Sequence, residues 1–401
     1  MHKTPKVLIA TQCFPPDPST TATYIGAIAN ALAADNRVVV LSASPNSGTT
    51  GPCNPEVIAI PSWTPEKGAL VKRMISIVLL AGRMLFSVLT RTSARDVVFC
   101  VTTPFTLPYF AILGAKLRGA AAVLLIYDLY PEALIAAGMA RPSSLTTRLI
   151  RFANGLIFRA SDAIITIGRD VGPLLLRYSG VRPDKIHFIP NWTLLPGGYR
   201  EIDPANPFRR DQQQKLVVGL SGNLGFTHSP RTVFEAAQLL RHDPDIHFLL
   251  SGWGLGWKEL LELQNSQRLE NVTLIEPVPE SELVDFLSSA DLWIIPYRRN
   301  TAGVSVPSRF YNLLAVGRPI MVSAESDSEA ALVVKEDNVG WAVPPEDPVR
   351  LAEAIRQAAQ DRAGTAQKGQ RAAKLAVKYG EVDALARYRK VILQSLRTAQ
   401  A

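Results

Sequence analysis

Leu292-Trp-Ile-Ile-Pro-Tyr297, followed by Gly303-Val-Ser-Val-Pro-Ser-Arg-Phe-Tyr-Asn-Leu-Leu-Ala-Val-Gly-Arg-Pro319 and on through Ile320-Met-Val-Ser-Ala324, reads as a strand, a small-residue loop opening onto a helix, and a second strand. Parallel strands cannot be joined by a tight turn, so a strand–helix–strand run of this kind is the building unit of a parallel sheet. Inside it, Pro307 suits the first turn of the helix, and Ser305 or Ser308 can cap its free N–H groups. The positive end of the helix would then face the contents of the loop, with the planar fork of Arg309 beside it. That combination predicts an anion site, and a diphosphate is the expected anion. The alternative is an ordinary strand–loop–helix connection with a solvated arginine.

The same alternation extends in both directions. Apolar, β-branched runs recur at Val7–Gln12, Val38–Ala43, Val57–Pro61, Val97–Thr103, Val123–Asp128, Ala163–Gly168 and Ile186–Asn191, and again at Leu216–Asn223, Ile246–Trp253, Val272–Val278, Leu292–Tyr297, Pro319–Ala324 and Gly340–Pro344. Helical stretches separate them, which predicts an α/β protein with two doubly wound, Rossmann-like domains. A turn-rich, polar passage between the two series marks the division. The expected boundaries are an N-terminal domain over 1–192, a linker over 193–214, a second domain over 215–380, and a last helix, 381–401, returning to the first domain. Ligands of such domains bind beyond the carboxyl ends of the strands, so two facing domains would share one cleft.

Composition is that of a globular chain of 401 residues, 47% hydrophobic and 19% charged, long enough for two cores. Met1 to Lys6 run straight into an apolar strand with no cleavage-site pattern, so a cytoplasmic location is expected. Cys13, Cys53 and Cys100 lack metal-ligand spacing and read as reduced, structural thiols. Residues 1–192 carry 19 Lys or Arg against 10 Asp or Glu, while the whole chain is +8, so the basic excess lies in the first half. Neither a zinc-finger spacing nor an RNP-like motif points that charge at nucleic acid. In 68–95, however, Lys72, Ser76, Arg83, Ser87 and Arg91 fall on one stripe of an otherwise apolar helix. Its longest uncharged run, Met74 to Gly82, is too short to span a bilayer. Such a helix either lies in a membrane interface or packs as a core helix with a narrow polar stripe.

Several strand exits carry groups suited to chemistry. Ser221-Gly-Asn-Leu-Gly-Phe-Thr-His228 offers Gly222 and Gly225 for close backbone approach to an anion, and Asn223 and His228 as hydrogen-bonding groups. Ser251-Gly-Trp-Gly254 is a second glycine-rich exit, but it lacks the dinucleotide fingerprint, which disfavours NAD chemistry. Arg241-His-Asp-Pro-Asp245 reads as a turn rather than a metal motif, and metal-independent chemistry is expected. In the first half, Asp128-Leu-Tyr-Pro-Glu132 ends a strand, and Asp128 is placed to orient or deprotonate an acceptor hydroxyl or, alternatively, to cap a turn. The hydroxyls and backbone donors of Thr11 to Tyr24 would face phosphates from the first domain.

Taken together, Phe14-Pro-Pro-Asp17, Asp128-Leu-Tyr-Pro-Glu132, Ile189-Pro-Asn-Trp192, Gly222-Asn-Leu-Gly225, Ala290-Asp291 with Pro296, Pro307-Ser-Arg-Phe-Tyr-Asn312 and Gly317-Arg-Pro319 resemble the family 4 glycosyltransferases of GT-B fold, bacterial surface-polysaccharide subgroup. The resemblance implies a retaining transferase of hexosyl or N-acetylhexosaminyl type. Its co-substrate would be a nucleotide diphosphate sugar, expected to be a UDP-sugar, bound mainly by the second domain with no cofactor. A polyprenyl-diphosphate-linked saccharide at the cytoplasmic membrane face is the expected acceptor. Arg309 and Asp128 are the expected catalytic groups, with Gly222, Asn223, Gly225, His228, Ser305, Ser308 and Asn312 around the donor. Two family features are altered: the paired glutamates correspond to Val304 and Asn312, and the usual Arg and Lys after the first strand of the second domain correspond to Asn223 and His228. A sugar-nucleotide 2-epimerase shares the architecture, but it would need acid and base groups that five histidines and the missing glutamates do not supply. A non-catalytic nucleotide-sugar-binding partner subunit is the other alternative.

Overall fold

The computed structural model describes residues 5–44, 55–62, 70–209 and 211–398. Cys53 therefore lies outside the described residues, as does the side chain of Lys72. The chain divides into two compact units, one formed by 1–131, 142–190 and 382–401, the other by 132–141 and 191–381.

Unit 1 contains β1 (Lys6–Thr11), α1 (Thr20–Ala33), β2 (Arg37–Ser42), β3 (Glu56–Ala59), α2 (Leu70–Arg91), β4 (Val97–Val101), α3 (Leu107–Leu117) and β5 (Ala121–Ile126). After the short α4 (Glu132–Ala136), which belongs to unit 2, it continues with α5 (Leu145–Ala160), β6 (Ala163–Thr166), α6 (Val171–Leu175) and β7 (Ile186–Phe188). Its seven strands are parallel in the order β3-β2-β1-β4-β5-β6-β7. β4 and β5 are buried along their whole length, which is why they read as continuous apolar runs rather than alternating ones.

Unit 2 repeats the plan with β8 (Leu216–Leu220), α7 (Pro230–Leu239), β9 (Ile246–Ser251), α8 (Leu255–Gln267), β10 (Val272–Ile275), α9 (Leu283–Ser289), β11 (Leu292–Pro296), α10 (Arg309–Ala315), β12 (Ile320–Ser323), α11 (Glu329–Glu336), β13 (Gly340–Val343), α12 (Pro348–Gln360) and α13 (Arg362–Ala376). The six-stranded parallel order is β10-β9-β8-β11-β12-β13. Gly219 on β8 is required by the neighbouring strand, since a Cβ there would lie 2.5 Å from the ring of Trp293 on β11. Polar side chains set the helix starts: Ser19 accepts from the Ala22 amide, Asp347 from Arg350, and Asp361 from Gly364.

α14 (Glu381–Thr398) closes unit 1. Tyr388 is buried with its ring 6.5 Å from that of Phe99 on β4, Arg387 donates to the Phe188 carbonyl, and Arg389 pairs with Asp35. The segment 193–214, expected as the linker, falls within unit 2. It is fixed to unit 2 by polar ties: the Gly198 amide donates to Ala315 O, Asn206 Nδ2 to Asp285 O, and the buried Arg209 to Ser289 O and Lys215 O. These bonds satisfy the backbone without regular structure, which explains why no periodicity betrays the segment.

Candidate active site

In both sheets the strand order reverses once, between β1 and β4 in unit 1 and between β8 and β11 in unit 2. Connections leave such a point in opposite directions, and the gap beyond the carboxyl ends is where open α/β sheets bind ligands. In unit 2 the two exits at the gap are Ser221–His228 and Tyr297 onward.

The β8 exit packs backbone to backbone on the β9 exit. Leu224 N donates to Trp253 O, Trp253 N to Gly222 O, and a Cβ on Gly252 would lie 2.6 Å from the Gly222 carbonyl. Gly222 itself has φ +99°, and a Cβ there would meet the Arg309 guanidinium carbon at 2.9 Å. The glycine is thus needed twice, for its backbone angle and for the cation lying over it. Arg309 donates through Nη2 to the Asn223 carbonyl, while its buried Nη1 has no partner among the described residues. Desolvation pulls its pKa down to about 10, so it remains cationic at neutral pH. A buried guanidinium N–H without an acceptor is costly unless a ligand oxygen supplies one.

His228 lies beside this cation. Its ring stacks on Tyr297 at 5.4 Å, with Nδ1 3.3 Å from Thr227 Oγ1 and a buried, unpartnered Nε2. Burial, and secondarily the charge of Arg309, hold its pKa down to about 3, so it is a neutral imidazole rather than a second cation. Asn223 is exposed at the rim, and Gly225 O accepts from the His228 amide. Gly222, Asn223, Gly225, His228 and Arg309 are therefore brought together. Tyr297, which the sequence does not single out, and Arg298, the alternative cation to Arg309, complete the wall, Arg298 donating through Nε to His228 O. The signal for Tyr297 is position alone, directly after the β11 strand at the reversal.

The loop from β11 to α10 departs from expectation. Neither Ser305 nor Ser308 caps the helix: Ser308 has αR backbone angles and no capping hydrogen bond, and Ser305 offers its carbonyl to Tyr297 Oη at 3.3 Å. The helix begins at Arg309, after Pro307, and has only seven residues, so the cation rather than a long helix dipole supplies the positive field. Val304 is buried, its amide bonded to Thr301 O. Asn312, expected near the donor, accepts through Oδ1 from the Leu194 amide at 3.1 Å.

Two other signature residues serve the opposite, amino edge of the same sheet. Asp291 accepts from the Val217 amide at 2.7 Å and pairs with Arg209 at 2.9 Å. The buried Arg318 donates to the Arg200 and Ser288 carbonyls. These are structural ties at the amino ends of the strands, on the side of the sheet opposite the gap beyond the carboxyl ends.

In unit 1, Asp128 follows β5, one strand along from the β1/β4 reversal. The Tyr127 and Asp128 amides both approach Thr102 Oγ1, at 3.0 and 3.4 Å. Next to it Tyr130, its ring 5.2 Å from Phe105, has its pKa pushed up to about 12 by burial and by Asp128. At the β1 exit the Thr11 hydroxyl is not available to phosphate as expected, since it is buried and donates to Cys13 O at 2.9 Å. Ser19 is likewise spent on capping α1.

Comparison with known proteins fits this arrangement. Residues 19–192 match the model of the "Glycosyl transferase 4-like domain" and residues 215–361 that of "Glycosyl transferases group 1". A protein named "Probable glycosyltransferase WbjE", from Pseudomonas aeruginosa, is 28% identical over 295 residues, covering 72% of each chain. In fold, the chain is similar to sucrose-phosphate synthase from Thermosynechococcus elongatus (TM-score 0.75, 15% identity, 99% and 100% of the two chains covered). It is also similar to Anabaena HepE in complex with UDP-glucose (TM-score 0.66, 16% identity, 98% and 99% covered). With two reversed parallel sheets and family models spanning both, the chain belongs to the family 4 glycosyltransferases of GT-B fold.

Proposed function

We propose that this glycosyltransferase moves a sugar, with retention of configuration, from a UDP-sugar to a lipid-linked saccharide acceptor in surface-polysaccharide synthesis, as a peripheral enzyme of the cytoplasmic membrane face. The observation that carries the donor half is the Arg309 guanidinium, fixed over Gly222 with one buried N–H lacking an acceptor. A diphosphate oxygen fits that N–H in charge and in hydrogen bonding.

In this reading the bond between the anomeric carbon and the β-phosphate oxygen breaks, and the acceptor oxygen forms the new glycosidic bond on the same face of the sugar. Negative charge grows on the departing diphosphate, where Arg309 stabilises it without a metal. Neutral His228 adds a hydrogen-bonding group through Nε2 rather than a charge. Asp128 takes or orients the acceptor proton. With Val304 buried, no carboxylate stands at that position against the donor sugar, so sugar selectivity rests on other groups.

HepE, solved with UDP-glucose, supports a UDP-sugar, and the relation to WbjE supports a bacterial glycan pathway. The test incubates the protein with a panel of sugar nucleotides, with and without a lipid-linked acceptor, reading nucleotide release and product mass. Sugar appearing on the acceptor, with UDP released, is the expected result. Isomerisation of the donor would establish the epimerase instead, and binding without turnover a non-catalytic subunit.

A further inference from the structure

The connections from β3 to β4, β4 to β5 and β5 to β6 all step the same way along the unit 1 sheet, so right-handed crossovers put α2, α3 and α5 on one face. α3 packs against both of the others. Gly114 on α3 lies so close to α2 that a Cβ would meet Val88 at 2.9 Å, and Tyr109 Oη donates to Asn154 Oδ1 on α5 at 2.6 Å.

A helix laid on a sheet ordinarily buries its apolar side and shows a polar one. α5 does the reverse over most of its length. Its buried positions are Thr147, Asn154 and Phe158, while Leu145, Leu149, Phe152 and Leu156 are 72, 58, 68 and 42% exposed. Those four are spaced by four, three and four residues, which is one straight stripe pointing away from the sheet. α2 is also apolar outward. Ile75, Val78, Leu79 and Phe86 are exposed above the buried Leu80, Met84 and Val88. The polar stripe expected on α2 does not hold as such, because Ser87 is buried and Arg83 turns to the Pro61 carbonyl. Between them α3 exposes Leu113 and Leu117.

Charge on the same three helices is one-sided. They carry eight Lys or Arg and no Asp or Glu, and Arg148 and Arg159 stand exposed on α5. Among the described residues no helix is long and apolar enough to cross a membrane.

We propose that the α2–α3–α5 face of unit 1 is a docking surface for an anionic bilayer. The Leu and Phe stripes enter the boundary between headgroups and acyl chains, and the arginines engage lipid phosphates. An exposed apolar patch of this extent requires a partner, and a predominantly basic one, its Lys116 paired with Asp162, selects a negative surface. A second copy fits poorly, because a two-fold interface would set this basic face against itself. The inference rests on the proposed function only for its purpose, delivery of the enzyme to a lipid-linked acceptor.

The test is flotation of the full chain with vesicles of phosphatidylcholine alone and of phosphatidylcholine with phosphatidylglycerol, without donor or acceptor. Two variants accompany it, Leu149→Ser/Phe152→Ser and Arg148→Gln/Arg159→Gln, each checked for wild-type melting. Wild type should float with the anionic vesicles and be released by high salt, and each variant should bind at least about tenfold more weakly. Failure of wild type to float, or variants floating as well as wild type, would overturn the proposal. So would a wild-type dimer in sedimentation velocity that Leu149→Ser/Phe152→Ser makes monomeric while neither protein floats. Transfer to a water-soluble acceptor analogue should be unchanged in both variants. Loss of flotation without loss of that transfer therefore separates docking from catalysis.

Discussion

Arg309 is held over Gly222 by one hydrogen bond and keeps one buried N–H for a ligand, a cost to the empty protein that substrate relieves. Arg309→Ala should therefore lower kcat by at least about a hundredfold while leaving the melting temperature unchanged or higher. Steady-state kinetics beside a thermal melt check both halves, and wild-type turnover in a folded variant would refute the role. Gly222→Ala should reproduce much of the loss with the cation still present, since its methyl group would push the guanidinium aside and the φ of +99° would be strained. Asp128→Asn keeps the volume and removes the base. Transfer should fall while donor affinity, measured by calorimetry, stays near wild type. A collapse of donor affinity instead would move Asp128 out of the acceptor role.

At the scale of the element, the strand of the opening stretch and the one after it are legible because a strand buried on both faces is a continuous apolar run. The helix between them was harder to bound. Pro307 and two serines suggest a capped start, yet the helix begins only at Arg309, because the residues before it are engaged in loop contacts such as Tyr297 Oη to Ser305 O. Periodicity reveals that α2 and α5 are amphipathic but not which side faces in. That depends on what the sheet and α3 present, and here they leave Leu and Phe outside. The β8–β11 pair offers a direct test of packing. Gly219→Ala should destabilise unit 2 by about 1–3 kcal/mol, because its new methyl group would lie 2.5 Å from the Trp293 ring, and urea unfolding monitored at tryptophan would report it.

For the molecule as a whole, stability depends on buried imidazoles and on the returning α14. His228 and His247 have pKa values held down to about 3 and about 4 by burial, against an ordinary value near 6.5. The unfolded chain binds these protons first on acidification. Stability is therefore full above about pH 6.5 and falls below it toward the folded values, by up to about 1.4 kcal/mol per pH unit for each group. Urea midpoints measured at neutral and at mildly acidic pH should show the decline, and a His247→Gln variant should show less of it. Deleting 382–401 would uncover the slot of Tyr388 beside Phe99, so unit 1 should become sensitive to protease before unit 2. Equal protection of both units would show that α14 is dispensable.

From its sequence alone the chain determined what depends on local pattern: the thirteen strands among the described residues in order, two α/β units, and the glycine-rich exits with Arg309 near them. Each follows from runs of apolar residues and from the backbone freedom of glycine, which need no partner to be read. Tertiary structure alone decided what depends on residues far apart. Asn312 accepts from the Leu194 amide, Asp291 and Arg318 tie the amino edge of the second sheet, and the segment 193–214 falls within unit 2. His228 is neutral for the same reason. Its charge is set by burial and by a cation eighty-one positions along the chain, and the field at a site is a sum over neighbours in space.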